Sequence, residues 1–223
     1  MDLAGPADLR VLAEGLKPLL DWRQVPMDLP SLAALAAGLG WASGLRLYAL
    51  VFVLGALARF AGVQLPGGLG VLAHPLVLGV SGVLLVVEFF ADKLPWLDSV
   101  WDALHTFIRI PAGAALAAAV MGGESAALQL AMGLLGGTLA AGTHLAKAGA
   151  RAAINTSPEP VSNVAASLGE DALFGAGVWT LVHHPLVFVA ALAVFFVLAV
   201  ALIVVLWRFV RRVLRGRGTE PLP

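Results

Sequence analysis

The chain has 223 residues, of which 60% are hydrophobic and 13% charged; its net charge is zero, it has no cysteine, and its mean hydropathy is +0.91. Soluble domains carry about 25% charged residues, so this composition excludes a water-soluble domain and points to one integral membrane domain. Zero net charge argues against a nucleic-acid surface, and the lack of cysteine excludes a disulfide framework or a thiolate metal site.

The N-terminus carries Asp2 and Asp8 and lacks a basic segment followed by an apolar core, so no cleavable signal peptide is expected. Residues 7–22 place Leu9, Leu12, Leu16 and Leu19 or Leu20 on one face, with a break at Pro18. This predicts a helix lying on the membrane surface, with a frayed soluble tail as the alternative. Residues 1–30 form this interfacial segment, 31–210 the transmembrane domain and 211–223 a basic cytoplasmic tail.

Six apolar segments follow, at roughly 31–60, 74–91, 99–122, 126–150, 163–182 and 185–210. About 20 apolar residues are needed per crossing, so the predicted fold is all-α, a polytopic bundle of about six transmembrane helices. The sixth segment is uncharged from Pro185 to Trp207. The third and fifth are the weakest, because their first turns hold Asp102, His105 and Arg109, or Ser167, Glu170 and Asp171. With six crossings nearly every Lys and Arg falls on one side, and Arg59 alone on the other. Basic loops stay in the cytoplasm, which predicts an inner-membrane protein with both termini cytoplasmic.

His74-Pro-Leu-Val77 opens the second segment and His184-Pro-Leu-Val187 the sixth; Pro95-Trp-Leu-Asp-Ser-Val100 resembles Pro160-Val-Ser-Asn-Val164. These matches are short enough for chance and are read as a candidate internal duplication.

Charges at membrane depth are expensive, and a chain that keeps them usually uses them. Glu88 and Asp92 are four apart, hence on one helix face. Asp98, Asp102, His105 and Arg109 recur at four, three and four residues and form a second stripe. His144, Lys147, Arg151 and Asn155 form a third. Asp98 or Ser99 is expected to cap the third helix, and Ser162 or Asn163 the fifth. The two helix starts, with Glu159 and Glu170 nearby, then point into one layer where an anionic group could sit. Asp98, Asp102 and His105 are the candidate metal ligands. Arg46 lies midway along the first segment and needs a buried acceptor, for which Glu88, Asp92, Glu170 and Asp171 are candidates. The plain alternative is mutual pairing of all these charges, with Lys147 and Arg151 reaching to lipid headgroups. Gly38, Gly40 and Gly44, and Gly133, Gly136, Gly137 and Gly142, allow close helix approach and could also serve association between copies.

Gly44-Leu-Arg46 with Tyr48, Val87-Glu-Phe89, Ala91-Asp-Lys93, Pro95, Asp98-Ser99, Trp101-Asp102, His105-Thr106, Arg109 and Pro111-Ala-Gly113 make a dense set of motifs. It continues in Lys147-Ala148, Arg151, Asn155, Ser157-Pro-Glu-Pro160 and Ser162-Asn163. Over about residues 30–205 the chain thereby resembles a bacterial integral membrane family catalogued only as a domain of unknown function. The resemblance implies a polytopic membrane protein and carries no activity.

The leading expectation is a small transporter or permease rather than an enzyme, without a cofactor, that meets the bilayer and a small polar or anionic solute or ion. Arg46, Glu88, Asp92, Asp102, His105, Arg109, His144, Lys147, Arg151, Asn155, Asn163 and Glu170 are its candidate binding residues. The rival readings are a metal-dependent enzyme acting on lipid headgroups and a structural protein with an internal ion-pair lattice.

Overall fold

The computed structural model describes Glu14, residues 28–156 and residues 160–216. The surface helix expected over 7–22 lies outside these residues, apart from Glu14. So do Ser157, Pro158 and Glu159 and the end of the basic tail. Six α-helices follow the predicted segments closely: α1 Leu29–Phe60, α2 Pro75–Ala91, α3 Pro95–Val120, α4 Ala126–Ile154, α5 Pro160–His183 and α6 Pro185–Gly216. A short 3₁₀ segment, Gly67–Ala73, precedes α2 at an angle of 73°. The chain is an all-α polytopic membrane bundle, with no strand among the described residues. The helices α1, α3, α4 and α6 are each long and apolar enough to cross a bilayer, and α2 is so when joined to the 3₁₀ segment. Among the described helices α5, which carries Glu170 and Asp171, falls short of that apolarity.

Proline punctuates the bundle. It occupies the first turn of α1, α2 and α3 and is the first residue of α5 and α6. Proline suits a helix start because its missing N–H would be unpaired there anyway. Asp28 caps α1 by accepting from the Ser31 amide at 3.0 Å, and His74 caps α2 by accepting from the Leu76 amide at 3.2 Å. Hydrogen bonds from Ser31 hold the Asp28 carboxyl below the usual carboxylate range. The expected caps of α3 and α5 are displaced. Because these helices begin at Pro95 and Pro160, Asp98 and Asn163 lie inside the first turns, fully buried, and their side chains turn inward instead. The two short sequence matches are explained by the same starts. They lie 110 and 65 residues apart, so no single duplication relates both.

The largest departure from expectation is α1. A straight 32-residue helix would be about 48 Å long. Yet Leu32, near its start, lines one groove of about 340 Å³ with Gln64, Leu65, Pro66 and Gly67, beyond its end. The backbone leaves helical geometry at Arg46 (φ −144°, ψ 71°), and there the chain turns back. Helix packing fixes the direction of each half. Gly40 lies against Gly136, and Gly44 against Ala140 and Thr143, so the first half runs parallel to α4. Gly55 lies against Leu78, and Phe52 against Gly82, so the second half runs antiparallel to α2. Since α2 and α4 both run from the loops at 61–74 and 121–125 toward the turns at 92–94 and 155–156, the two halves oppose each other. Arg46 is therefore the apex of a helical hairpin, and not the middle of a crossing. Asp28 accordingly shares a cavity lining with Pro185, at the start of α6, whereas Gly216 lies at the far end of that helix. The two described ends sit at opposite ends of the bundle, contrary to the expectation that residues 28–30 share a side with the C-terminal tail.

The hairpin is the core. Leu35, Leu39, Leu50 and Leu54 are fully buried, together with Met121 from the end of α3. Around it, Leu186, Val194, Val197 and Leu198 of α6 and Val80, Val83 and Val86 of α2 are exposed, as befits a lipid-facing surface.

Candidate functional site: a buried charged layer

The three predicted stripes and the Arg46 apex meet in one layer near the 92–94 and 155–156 turns. Helix periodicity explains the convergence: residues three and four apart share a face, and each stripe faces the hairpin tip. Arg46, 2% exposed, pairs through Nη1 with Asp92, while its Nη2 reaches the Ser167 carbonyl (3.1 Å), the Ser167 hydroxyl (3.0 Å) and Asp171 (3.0 Å). Lys147 donates to both Asp92 oxygens (3.2 and 3.4 Å) and lies 3.3 Å from Glu170. Arg151 holds Glu170 in a two-pronged pair (2.8 and 3.0 Å) and donates through Nη1 to the Asp92 carbonyl and to Asn163. Such forked contacts are the strong form of charge-assisted hydrogen bond.

Arg109 closes the other side of the layer. Its Nη2 donates to Glu88 at 2.6 Å; both residues are fully buried. Its Nη1 donates to the carbonyls of Gly44 (3.3 Å) and Leu45 (3.4 Å). The non-helical turn at Arg46 frees these carbonyls, and a buried carbonyl needs a donor. Arg109 thus ties α3 to the broken backbone of α1.

The histidines are occupied by the frame. His144 Nε2 faces the Asp102 carbonyl (3.1 Å) and the Thr106 hydroxyl (2.8 Å), while its Nδ1 faces Arg109 at 3.5 Å. A carbonyl only accepts, so Nε2 carries the hydrogen and Nδ1 is the acceptor: His144 is the neutral imidazole. His105 donates through Nδ1 to the Trp101 carbonyl (2.7 Å), shares a hydrogen bond between Nε2 and the Tyr48 hydroxyl (2.8 Å) and stacks on Trp101 at 4.0 Å. It points away from the acidic groups. The expected metal ligand set of Asp98, Asp102 and His105 therefore does not assemble. Asp92, Asp98 and Asp102 do, each buried, with one oxygen from each no more than 4.8 Å from the others. Asn155 donates to Asp98 (3.2 Å) and accepts from Asn163 (2.8 Å), joining α3, α4 and α5 on the turn side of the layer.

All twelve predicted binding residues and Asp98 thus fall in or against this one layer. The prediction left out Tyr48, Ser167 and Asp171. Ser167 was within reach: Asn163, Ser167 and Glu170 recur at four and three residues, the same stripe pattern as on α3. No spacing rule marks Tyr48, which enters from the hairpin. The expected anion site is not favoured by the arrangement, because the terminal donors of Arg46, Lys147 and Arg151 are already engaged by carboxylates and carbonyls.

The pairing is unequal. Four buried cations, Arg46, Arg109, Lys147 and Arg151, face five largely buried carboxylates, Glu88, Asp92, Asp98, Asp102 and Glu170; Asp171 adds a sixth, partly exposed. Both Asp102 oxygens, Asp98 Oδ1 and Glu88 Oε2 are buried and accept no hydrogen bond.

Residues 33–205 match the family described as Domain of unknown function (DUF4126), which covers most of the chain, and the protein belongs to that family. No curated protein and no solved structure matches the chain.

Proposed function

We propose that the protein is a small cation- or proton-coupled carrier of a polar solute, with the charged layer as its coupling site. One observation carries this reading: the layer holds more carboxylate than cation, and the surplus oxygens lie buried without donors beside a broken helix. A lattice serving stability alone gains nothing from unpaired buried charge, since removing charges from water is costly unless they are matched. Broken helices at the midst of a bundle are also how transporters expose backbone and charge to an ion. Mixed signs suit a carrier better than an open channel, whose lining usually has one sign.

The basic residues set the orientation. Lys93, Lys147, Arg151, Arg208, Arg211 and Arg212 lie toward the end that carries the charged layer, and Arg59 lies at the other. The positive-inside rule supports a layer on the cytoplasmic side of a bacterial inner membrane, with Asp28 on the opposite side.

The test is flux. Purified protein in proteoliposomes, under an imposed proton or sodium gradient, should accumulate a compound from a panel of small polar solutes. Asp102→Asn should stop accumulation while the variant remains folded in detergent. Variants that lose melting temperature yet keep full flux per folded molecule would return the layer to the ion-pair lattice reading. The lipid-headgroup enzyme reading loses support because His105 is turned away from the carboxylates.

A further inference from the structure

We infer that Asp92, Asp98 and Asp102 form the binding site for a hard metal cation, such as sodium or calcium, held by carboxylate oxygens alone. The inference builds on the reading of the layer as a coupling site and names its ion.

Three features converge here, the first on all three residues and the second on Asp98 and Asp102; Asp92, whose oxygens also accept from Arg46 and Lys147, would ligate the ion beside those cations. The first is geometry. One oxygen from each carboxylate lies within 4.8 Å of the other two. Oxygens this close need to draw in by only a few tenths of an ångström at most to hold one ion at about 2.3–2.6 Å. Two carboxylates sharing a proton would need a direct hydrogen bond, and neither Asp98 Oδ1 nor either Asp102 oxygen makes one.

The second is unmet bonding capacity. Asp102 is 3% exposed and accepts at neither oxygen; Asp98 is fully buried and accepts only at Oδ2, from Asn155. The nearest cations stand off: Arg109 is 3.5 Å and Lys147 3.8 Å from Asp102 Oδ1, and Arg151 is 3.9 Å from Asp98 Oδ1. These distances give attraction but no hydrogen bond. Buried oxygens normally find donors, and exceptions call for an explanation such as an ion.

The third is charge. With its five carboxylates ionised the buried layer is one positive charge short; the more exposed Asp171 is offset by half-buried Lys93. His144 is held neutral by its own hydrogen bonds and His105 is turned toward Trp101 and Tyr48, so neither faces the carboxylates as a cation. The ligand chemistry then selects the ion. Zinc and copper prefer imidazole or thiolate, whereas a set of carboxylates suits hard cations. The chain has no cysteine, and His105 and His144 face other partners.

An amide bridge closes the turn side of the site. Asp98 lies beneath Asn155 and Ser99 at the turn side of the layer, and Asn155 bridges it to Asn163 of α5. An ion would enter or leave as that amide bridge opens.

The experiment is ion binding in detergent, with no transport step. Melting temperatures of the full chain should be read in choline chloride and then with sodium, calcium or magnesium chloride at matched ionic strength. Wild-type protein and the loop variant Glu124→Gln should gain several degrees with at least one of these ions, saturably. Asp102→Asn and Asp98→Asn should lose that gain. Should the aspartate variants fail to fold, terbium luminescence on wild-type protein gives a second reading. Trp101, three residues from Asp98 and next to Asp102, should sensitise bound terbium, and the competing ion should quench it. Absence of any saturable ion response in both measurements overturns the inference. A gain that Asp98→Asn and Asp102→Asn retain overturns it as well. Ion binding without solute flux would leave the site standing and remove the carrier. Flux under a proton gradient with no metal response would do the reverse.

Discussion

At the scale of single residues, Arg109 ties the hairpin to α3. It is fully buried, holds Glu88 at 2.6 Å and supplies the donor that the carbonyls of Gly44 and Leu45 lack. Removing one partner of a buried pair leaves the other as an uncompensated charge, at about 3–5 kcal/mol. Arg109→Met should therefore lower stability by about that amount, read by denaturation in detergent. Adding Glu88→Gln should restore part of it, because the stranded charge is gone, whereas the two hairpin carbonyls stay unserved. A double variant no more stable than the single one would mean that Glu88 and Arg109 are not coupled. The sequence made both residues legible as helix-face neighbours of other charges, since three- and four-residue spacing is all that a stripe needs. It could not give the pairing. Arg46 had four candidate acceptors, and only the tertiary arrangement selects Asp92 and Asp171, with Glu170 at 3.7 Å, and gives Glu88 to Arg109 instead.

At the scale of elements, all six helices were legible and the shape of the first was not. Apolar runs and prolines mark helix extents well, but a turn at a single non-glycine residue leaves no mark in composition. Arg46 breaks α1 at a negative φ that calls for no glycine, and the run from Leu29 to Phe60 reads as one long span. The clue lay in size. A 32-residue apolar segment with an arginine halfway is longer than one crossing needs. The hairpin makes two predictions. Gly40 sits backbone to backbone on Gly136: a Cβ there would lie 2.6 Å from the Gly136 Cα. Backbone cannot rotate away as a side chain can, so Gly40→Val should destabilise by about 1–3 kcal/mol or more, measured as a loss of melting temperature. The chain has no cysteine, which makes topology directly readable. Single cysteines at Asp28, Gly68 and Thr156, all exposed, should be labelled by an impermeant maleimide on intact cells in the pattern outside, outside, inside. Asp28→Cys labelling together with Thr156→Cys would straighten α1 into one crossing and refute the hairpin.

For the whole molecule, the decisive matter is whether the layer is a lock or a joint. The hairpin, α3 and α4 touch through glycine and alanine at near-backbone distance: Gly40 on Gly136, Gly113 on Ala140, Gly136 on Ala117. Contacts of this kind make a rigid unit. At the layer α5 is held differently. There it meets α1 and α4 through Arg46, Lys147, Arg151 and Asn155, reaching to Asn163, Ser167, Glu170 and Asp171. Polar pairs of this sort can be exchanged for pairs with an ion or water, whereas interlocked backbones cannot. A carrier built on this bundle would move α5, followed by α6, against the rigid unit. Ser167 tests that. It is a fully buried residue of α5 that faces Arg46, and cysteine nearly matches serine in size. Ser167→Cys should resist a small maleimide in protein at rest and react once the coupling gradient and solute are both present. If the layer is a lock, the thiol stays protected under every gradient, even while Thr156→Cys in the same preparation labels fully.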